Sequence, residues 1–98
     1  MLRDLELAFI RLHILHHAAE EAVFGTGLME ELARHGYTIG PGTLYPTLAK
    51  LEAWDWIVCE TRTVAGKQRK YYRITPTGQA ELDEAKVKLR ELYAEIME

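Results

Sequence analysis

The residues of this 98-residue chain best suited to chemistry with a charged ligand are basic side chains in one short segment. Residues 61–73 contain no acid, but they contain Arg62, Lys67, Arg69, Lys70 and Arg73. Such a run can neutralise phosphate groups and release their counterions, which makes binding fall steeply with salt. It can equally be the solvated face of a strand. The neighbouring elements must decide between the two interpretations.

A second group of polar side chains lies within residues 41–54. Threonine can bond phosphates or base edges, its methyl group can contact thymine, and lysine can bind phosphate or guanine. Each residue has a plainer alternative, since threonine can cap a helix, Tyr45 can pack in the core beside Leu48, and Lys50 can be solvated. The residue types alone leave both roles open for Tyr45 and for Lys50. The candidates are Thr43, Tyr45, Thr47 and Lys50.

Histidines in the N-terminal segment raise the question of a metal site. His13, His16 and His17 are three and four residues apart or adjacent, and imidazole is a frequent metal ligand. We find no carboxylate or second cysteine spaced to complete a site, and the surrounding segment is apolar. The sequence therefore favours core-edge or interface histidines, and we expect neither a metal ion nor a cofactor.

Composition excludes several other classes of protein. The net charge is −3 and 48% of the residues are hydrophobic, so we expect one modest core and one domain over residues 1–98. The single cysteine, Cys59, cannot form an internal disulfide. Early acidic residues interrupt any signal-peptide pattern, and no apolar run reaches membrane-spanning length. We expect a cytoplasmic protein with no membrane partner, and no catalytic motif indicates an enzyme.

Hydrophobic periodicity predicts four helices and a β-hairpin to position these residues. We expect Thr26 to cap the second helix, and Thr75 before Pro76 gives a second cap-then-proline signal. Ala65-Gly66 can turn the hairpin. The predicted elements are helices over about 2–22, 27–36 and 41–54, strands over 57–64 and 69–74, and a helix over 76–98.

This order of elements is that of a winged helix-turn-helix. The predicted fold class is mainly α with a small β-hairpin. A winged helix-turn-helix covers residues from about 5 to 75. Dimerisation helices lie at the N-terminus and at the C-terminus, and the C-terminal one covers about 76–98. In this fold the third helix enters the major groove of DNA and the hairpin, or wing, reaches the neighbouring phosphates. The basic segment therefore falls where a DNA backbone would lie.

Side-chain alternation separates the basic residues of the hairpin into two faces. Not every one of them can point at the same DNA. We expect Lys67, Arg69 and Lys70, at or just past the wing tip, to contact phosphates, and we regard Tyr71 and Arg73 as candidates for structural roles.

Several motifs carry a family resemblance. They are His35-Gly36-Tyr37, Gly42-Thr43-Leu44-Tyr45-Pro46 with Leu48 and Leu51-Glu52, and Tyr71-Tyr72-Arg73-Ile74-Thr75-Pro76-Thr77-Gly78. Together with Leu12-His13-Ile14-Leu15, they resemble the PadR family of bacterial transcriptional regulators from about Leu5 to Leu82. The resemblance implies a homodimer that binds a pseudo-palindromic operator in double-stranded DNA and represses until a signal or effector releases it. It also implies that Tyr45 lies at the DNA surface.

The apolar faces of the first and last helices exceed what a small core can cover, which predicts a two-fold dimer interface. A purely intramolecular helical cap is the alternative. Any small-molecule effector, whose identity the sequence does not indicate, would use this interface. The expected interface residues are Phe9, Leu12, Leu82, Leu89, Leu92, Tyr93 and Ile96.

Two departures from the family pattern bear on function. Asp55 stands where relatives commonly have glycine, and it tolerates a left-handed backbone better than most residues. The C-terminal helix has no tryptophan, so multidrug sensing of the kind found in some relatives is not supported.

The alternative function from another class is a winged-helix protein-interaction module or anti-regulator that does not bind DNA.

Overall fold

The computed structural model describes all of residues 1–98 and confirms the mainly helical fold with one β-hairpin. The helices and strands are α1 (Leu2–Glu20), α2 (Gly25–Arg34), α3 (Pro41–Ala53), β1 (Ile57–Val64), β2 (Lys67–Ile74) and α4 (Pro76–Met97). No helix combines the length and apolar character that crossing a membrane requires.

The core is built from one stripe of each helix and the base of the hairpin. Leucine and isoleucine recur at helical spacing on α1, α2 and α3, so each helix turns one apolar face inward. Burial of each such side chain contributes about 1.5–3 kcal/mol. The buried cluster consists of Ile10, Ile14, Leu15, Leu28, Leu32, Leu44, Leu48, Leu51, Ile57, Tyr72 and Leu82.

The start of α2 differs from the prediction. Phe24 is the N-cap residue, the helix begins at Gly25, and no side chain caps it, so the expectation that Thr26 acts as the cap is wrong. The reason is a backbone bridge in which the Val23 and Tyr72 amides each donate to the other's carbonyl, at 2.9 and 2.7 Å. This bridge fixes the extended chain immediately before α2.

The predicted turn at Ala65-Gly66 is confirmed, but the second strand begins earlier than expected. Ala65 and Gly66 have φ values of 52° and 77°, and positive φ at both central positions matches the twist of paired strands. Pairing therefore continues to Val64 opposite Lys67, which adds two residues to β2. Asp55 has φ of 61° between α3 and β1, in agreement with the left-handed turn expected there.

The predicted cap at the start of α4 is confirmed. The Thr75 hydroxyl accepts a hydrogen bond from the Gly78 amide at 3.0 Å and donates to the Asp55 carbonyl at 2.5 Å. Leu82 is 4% exposed and packs in the core of its own chain, so its assignment to the dimer interface is wrong. The first two turns of α4 therefore cover the monomer core, whereas every residue beyond Ala85 is exposed.

Candidate nucleic-acid interface

Helix α3 presents a flat outer face between two polar flanks. Leu44, Leu48 and Leu51 anchor its inner face in the core. At 100° per residue, Thr43 and Lys50 lie on one flank and Tyr45 lies on the other. Small side chains between the flanks allow the helix backbone to approach another surface closely. These exposed residues are Gly42, Pro46, Ala49 and Ala53.

Tyr45 is a surface residue and not part of the core. Its side chain is 45% exposed, and its ring lies against Gly25 at the start of α2 so closely that any side chain there would collide with the Tyr45 hydroxyl. The alternative in which Tyr45 packs in the core beside Leu48 is therefore wrong. Because Gly25 has no side chain, it leaves room for the phenol of Tyr45 at the junction between α2 and α3.

The polar residues on the other flank of α3 differ in what they can offer. The Thr47 hydroxyl donates to the Thr43 carbonyl at 2.8 Å, so its proton is already engaged within the helix. Its oxygen lone pairs and methyl group remain available. Thr43 and Thr47 are half-buried, and Lys50 is fully on the surface with no ion-pair partner.

One carboxylate divides the basic residues of the hairpin into paired and unpaired sets. Glu60 pairs with Arg62 and, at 3.2 Å, with Arg73. Hydrogen bonds from Arg62 and then Arg73 lower the pKa of Glu60, which favours its charged form. Arg62 also lies over the Tyr71 ring, 4.4 Å from its centre. Arg73 and Tyr71 thus have the structural contacts that the sequence suggested for them.

The remaining cations of the hairpin are free of carboxylate partners. Lys67, Arg69 and Lys70 are exposed and form no ion pair. The Arg69 guanidinium lies 4.5 Å from the centre of the Phe24 ring, which in turn meets the Tyr71 ring edge-on. Such a cation–π contact orients Arg69 without neutralising its charge.

A groove joins the wing, α2 and α3. Its lining includes Gly25 and Thr26 at the start of α2, Tyr45 of α3, and Arg69 and Lys70 of β2. The uncapped amides at the start of α2 carry partial positive charge, and helix N-termini bind phosphates for this reason. The groove is therefore lined by two cations, a phenol and a helix N-terminus, each of which is able to bind a phosphate oxygen.

Sequence reasoning missed the contribution of α2 to this groove. The available signal was Gly25-Thr26-Gly27 ahead of an amphipathic helix, because a start without a capping side chain leaves amides free for a ligand. Thr43 and Lys50 lie on the opposite flank of α3, and Lys67 lies at the wing tip. The predicted contacts thus form two groups on either side of the outer face of α3.

The histidines of α1 also have partners that the sequence did not reveal. His13 and His17 lie near His35 at the end of α2, and Glu31 of α2 lies 3.6 Å from both His17 and His35. The expectation that no carboxylate is placed to complete a site is therefore wrong. Glu20 also lies beside His16 and His17, at 3.2 and 3.8 Å, and the three form a second group of potential metal ligands. Burial, followed by the charges of His35 and His17, lowers the pKa of His13, which favours its neutral form.

The order of elements and the basic wing beside α3 define a winged helix-turn-helix protein of the kind that regulates transcription. Comparison with known proteins gives the family. Residues 14–84 match the model of the transcriptional regulator PadR-like family. Transcriptional regulator Rv3488 of Mycobacterium tuberculosis is 51% identical over 96 residues, which cover 98% of this chain and 90% of that protein.

Solved structures agree with this assignment. A PadR family transcriptional regulator from Eggerthella lenta is 30% identical with a TM-score of 0.84, over 98% of this chain and 85% of that one. A PadR-like transcriptional regulator from Bacillus cereus is 27% identical with a TM-score of 0.83, over 91% and 88%. The chain belongs to the PadR-like family of transcriptional regulators.

Proposed function

We propose that this chain is a cytoplasmic transcriptional repressor that binds a pseudo-palindromic operator as a homodimer. The observation that carries the proposal is the groove beside α3, where Arg69 and Lys70 have no carboxylate partner and lie with Tyr45 at the uncapped start of α2. An exposed face of small residues on α3 lies next to it. These are the features that a DNA backbone and an adjacent major groove require.

Each group of residues has a distinct role in this proposal. Tyr45, Arg69 and Lys70 bind phosphates on one side of α3, and Lys67 extends this contact at the wing tip. Thr43, Thr47 and Lys50 serve the other side, where they reach base edges or phosphates. The small residues between them let α3 enter the groove.

The net negative charge of the chain does not oppose this role. Six of the 15 acidic residues lie from Glu81 to Glu98, outside the proposed DNA-binding elements, whereas the one carboxylate in the hairpin, Glu60, is paired within it. A local basic surface determines attraction to DNA more than the total charge does.

An apolar stripe on α4 supports the homodimer. Leu82, Ala85, Leu89, Leu92 and Ile96 follow one another at steps of three and four residues, so they share a helix face. Leu82 is buried and Ala85 half-buried, but Leu89, Leu92 and Ile96 are 40, 47 and 64% exposed. The same face thus passes from the core of this chain into solvent.

A second copy of the chain is the partner we propose for this stripe. Tyr93 lies beside it, and α1 contributes Phe9 and Leu12, both half-buried, together with exposed Leu5 near its start. Packing α4 of each protomer against α1 of the other would cover these surfaces across a two-fold axis. The dimer would place two α3 helices about 34 Å apart, as successive major grooves require.

The wing provides the experiment that tests DNA binding. Lys67→Ala with Lys70→Ala removes two phosphate contacts from each protomer and four from the dimer, so the slope of log affinity against log salt should fall in magnitude by about 3.6. At 0.15 M salt this corresponds to about 10³-fold weaker binding. The measurement is fluorescence anisotropy with DNA from upstream of the protein's own gene, across a salt series.

Lysines on α4 supply the matched control for the wing variant. Lys86→Ala with Lys88→Ala makes the same change in net charge at exposed positions away from the wing, and both affinity and slope should stay unchanged. An unaltered slope in the wing variant would refute the wing assignment. If the wild-type protein bound no upstream DNA at low salt, the protein-interaction module would be favoured instead.

Tyr45→Phe tests the phenol alone. Loss of one hydrogen bond of about 1 kcal/mol in each protomer, about 2 kcal/mol for the dimer, should weaken operator binding about 30-fold. The salt slope and the thermal midpoint should not change, because the ring keeps its contacts and no charge is lost. Affinity within twofold of wild type would show that the Tyr45 hydroxyl does not contact DNA.

A further inference from the structure

The proposed DNA interface leaves one cluster of ligating side chains unexplained. It consists of His13 and His17 on α1, Glu31 on α2 and His35 just after α2, and we call it the histidine cluster. Nitrogen atoms from the three histidines all lie within 4.8 Å of one another. The His13 and His35 rings stack with their centres 4.5 Å apart.

The carboxylate of Glu31 completes the cluster as a fourth potential ligand. Its Oε1 lies 3.6 Å from His17 Nε2 and 3.6 Å from His35 Nε2. Arg34 engages the other oxygen, Oε2, which leaves Oε1 facing the histidines. Tetrahedral zinc with bonds of about 2.0–2.1 Å holds its ligand atoms about 3.3–3.4 Å apart, close to these separations.

A buried nitrogen of His17 has no binding partner, which is independent support for a ligand in the cluster. Its Nε2 is buried and has no hydrogen-bond partner, because the Glu31 oxygen is too distant to form one. Its other nitrogen, Nδ1, lies 3.8 Å from Glu20. A carboxylate behind one nitrogen and a metal at the other is a common arrangement for ligating histidine.

We propose that His13, His17, His35 and Glu31 form a binding site for a divalent transition-metal ion of the zinc type. Three imidazoles and one carboxylate oxygen form a donor set that suits Zn²⁺, while hard ions such as Mg²⁺ prefer oxygen ligands alone. The distances between the three histidine nitrogens must shorten by less than about 1.5 Å to reach those between the ligands of a zinc ion. Side-chain rotation of exposed His35 and half-buried His13 can supply this movement.

The position of the site gives the ion a role in regulation, which rests on the proposed function. The ion would join α1, which carries part of the proposed dimer surface, to α2, whose N-terminus lines the phosphate groove. Fixing one helix against the other changes how the two DNA-binding surfaces of a dimer are oriented. Zn²⁺ is therefore an effector of operator affinity, with coupling of about 5-fold or more.

Calorimetric titration of the metal-free protein with Zn²⁺ tests the site without DNA. We expect one ion per chain. His35→Ala and Glu31→Gln should each weaken binding about 100-fold or more, since even loss of a residue behind a ligand costs 10–100-fold. Glu30→Gln is the matched control, because Glu30 is an exposed carboxylate of α2 that belongs to neither group of potential metal ligands, and the affinity of this variant for Zn²⁺ should stay within threefold.

Several outcomes would overturn the site. One is that Zn²⁺ does not bind at one ion per chain. Another is that Zn²⁺ still binds to His35→Ala and Glu31→Gln with the wild-type affinity, which would show adventitious binding to the surface. Circular dichroism of the metal-free variants checks that they fold. Visible absorption of the Co²⁺-loaded protein gives a second measurement, since tetrahedral coordination produces strong bands that should disappear in His35→Ala.

Anisotropy with operator DNA, with and without Zn²⁺, tests the regulatory role separately. The wild-type dissociation constant should change about fivefold or more, and that of His35→Ala should not change. Stoichiometric Zn²⁺ binding with no effect on DNA affinity would overturn the regulatory role and keep the site. Zn²⁺ binding by a protein that binds no DNA would instead count against the proposed function.

Discussion

Leu92→Asp combined with Ile96→Asp is expected to make the protein monomeric and to weaken operator binding by about 10²–10⁴-fold. Both side chains lie on the exposed part of the apolar stripe of α4. A two-fold interface would bury four added carboxylates, and unpaired charges are strongly unfavourable there. The operator affinity falls because a monomer loses the advantage of two linked half-site contacts, which is worth about 10²–10⁴. Sedimentation velocity and anisotropy measure the two effects.

Val87→Asp is the control for this variant. Val87 is a similarly exposed apolar residue of α4, but helical periodicity places it on the opposite face from the stripe. It should leave both the dimer and the operator affinity unchanged. A dimer that survives the double substitution at micromolar concentration would show that the stripe is not the interface, and a wild-type monomer would refute dimerisation itself.

Gly78→Ala is expected to destabilise the fold by about 2–3 kcal/mol, which is the upper range for overpacking. Gly78 is buried at the start of α4, and an added Cβ would collide with the backbone carbonyl of Trp56. The backbone has little room to yield, because the same Trp56 carbonyl accepts the Thr75 amide at 3.0 Å. Thermal unfolding at fixed protein concentration should show a midpoint about 8–20 °C lower.

Gly42→Ala is the control, and its expected effect on the thermal midpoint is zero or opposite in sign. Gly42 lies in the first turn of α3, and an added Cβ would meet nothing within 4 Å. Alanine favours a helix over glycine by up to about 1 kcal/mol, so the thermal midpoint should stay the same or rise. Equal midpoints for the two variants would show that the contact between Gly78 and Trp56 is not a constraint on the fold.

Features that depend on neighbouring residues could be predicted from the sequence. Thr75 before Pro76 indicated the cap of α4, and Asp55 indicated a left-handed residue before β1. The apolar periodicity of α3 separated its buried residues from its polar ones. In each case the signal and the structure lie within a few residues of each other, so propensity and periodicity are sufficient.

Contacts that form in the folded chain determine which basic residues of the wing are free of carboxylate partners. The sequence shows a run of cations, but Glu60 lies across the hairpin from Tyr71 and takes Arg62 and Arg73 out of that run. The start of α2 is a similar case, because Val23 pairs with Tyr72 far along the chain. The pair of Glu60 with Arg62 is local, since strand alternation puts both on one face of β1, but no local pattern contains the contact of Glu60 with Arg73 or that of Val23 with Tyr72.

The N-terminal histidines show the same limit. Local periodicity and contiguous motifs are sufficient to predict the winged fold, the family and a basic segment next to α3. They could not place Glu31 and His35 beside His13 and His17, since that depends on how α2 packs against α1. Packing also buried Leu82 and exposed the rest of the α4 stripe. Contacts between distant segments need the whole core to form, and so the folded chain alone decides them.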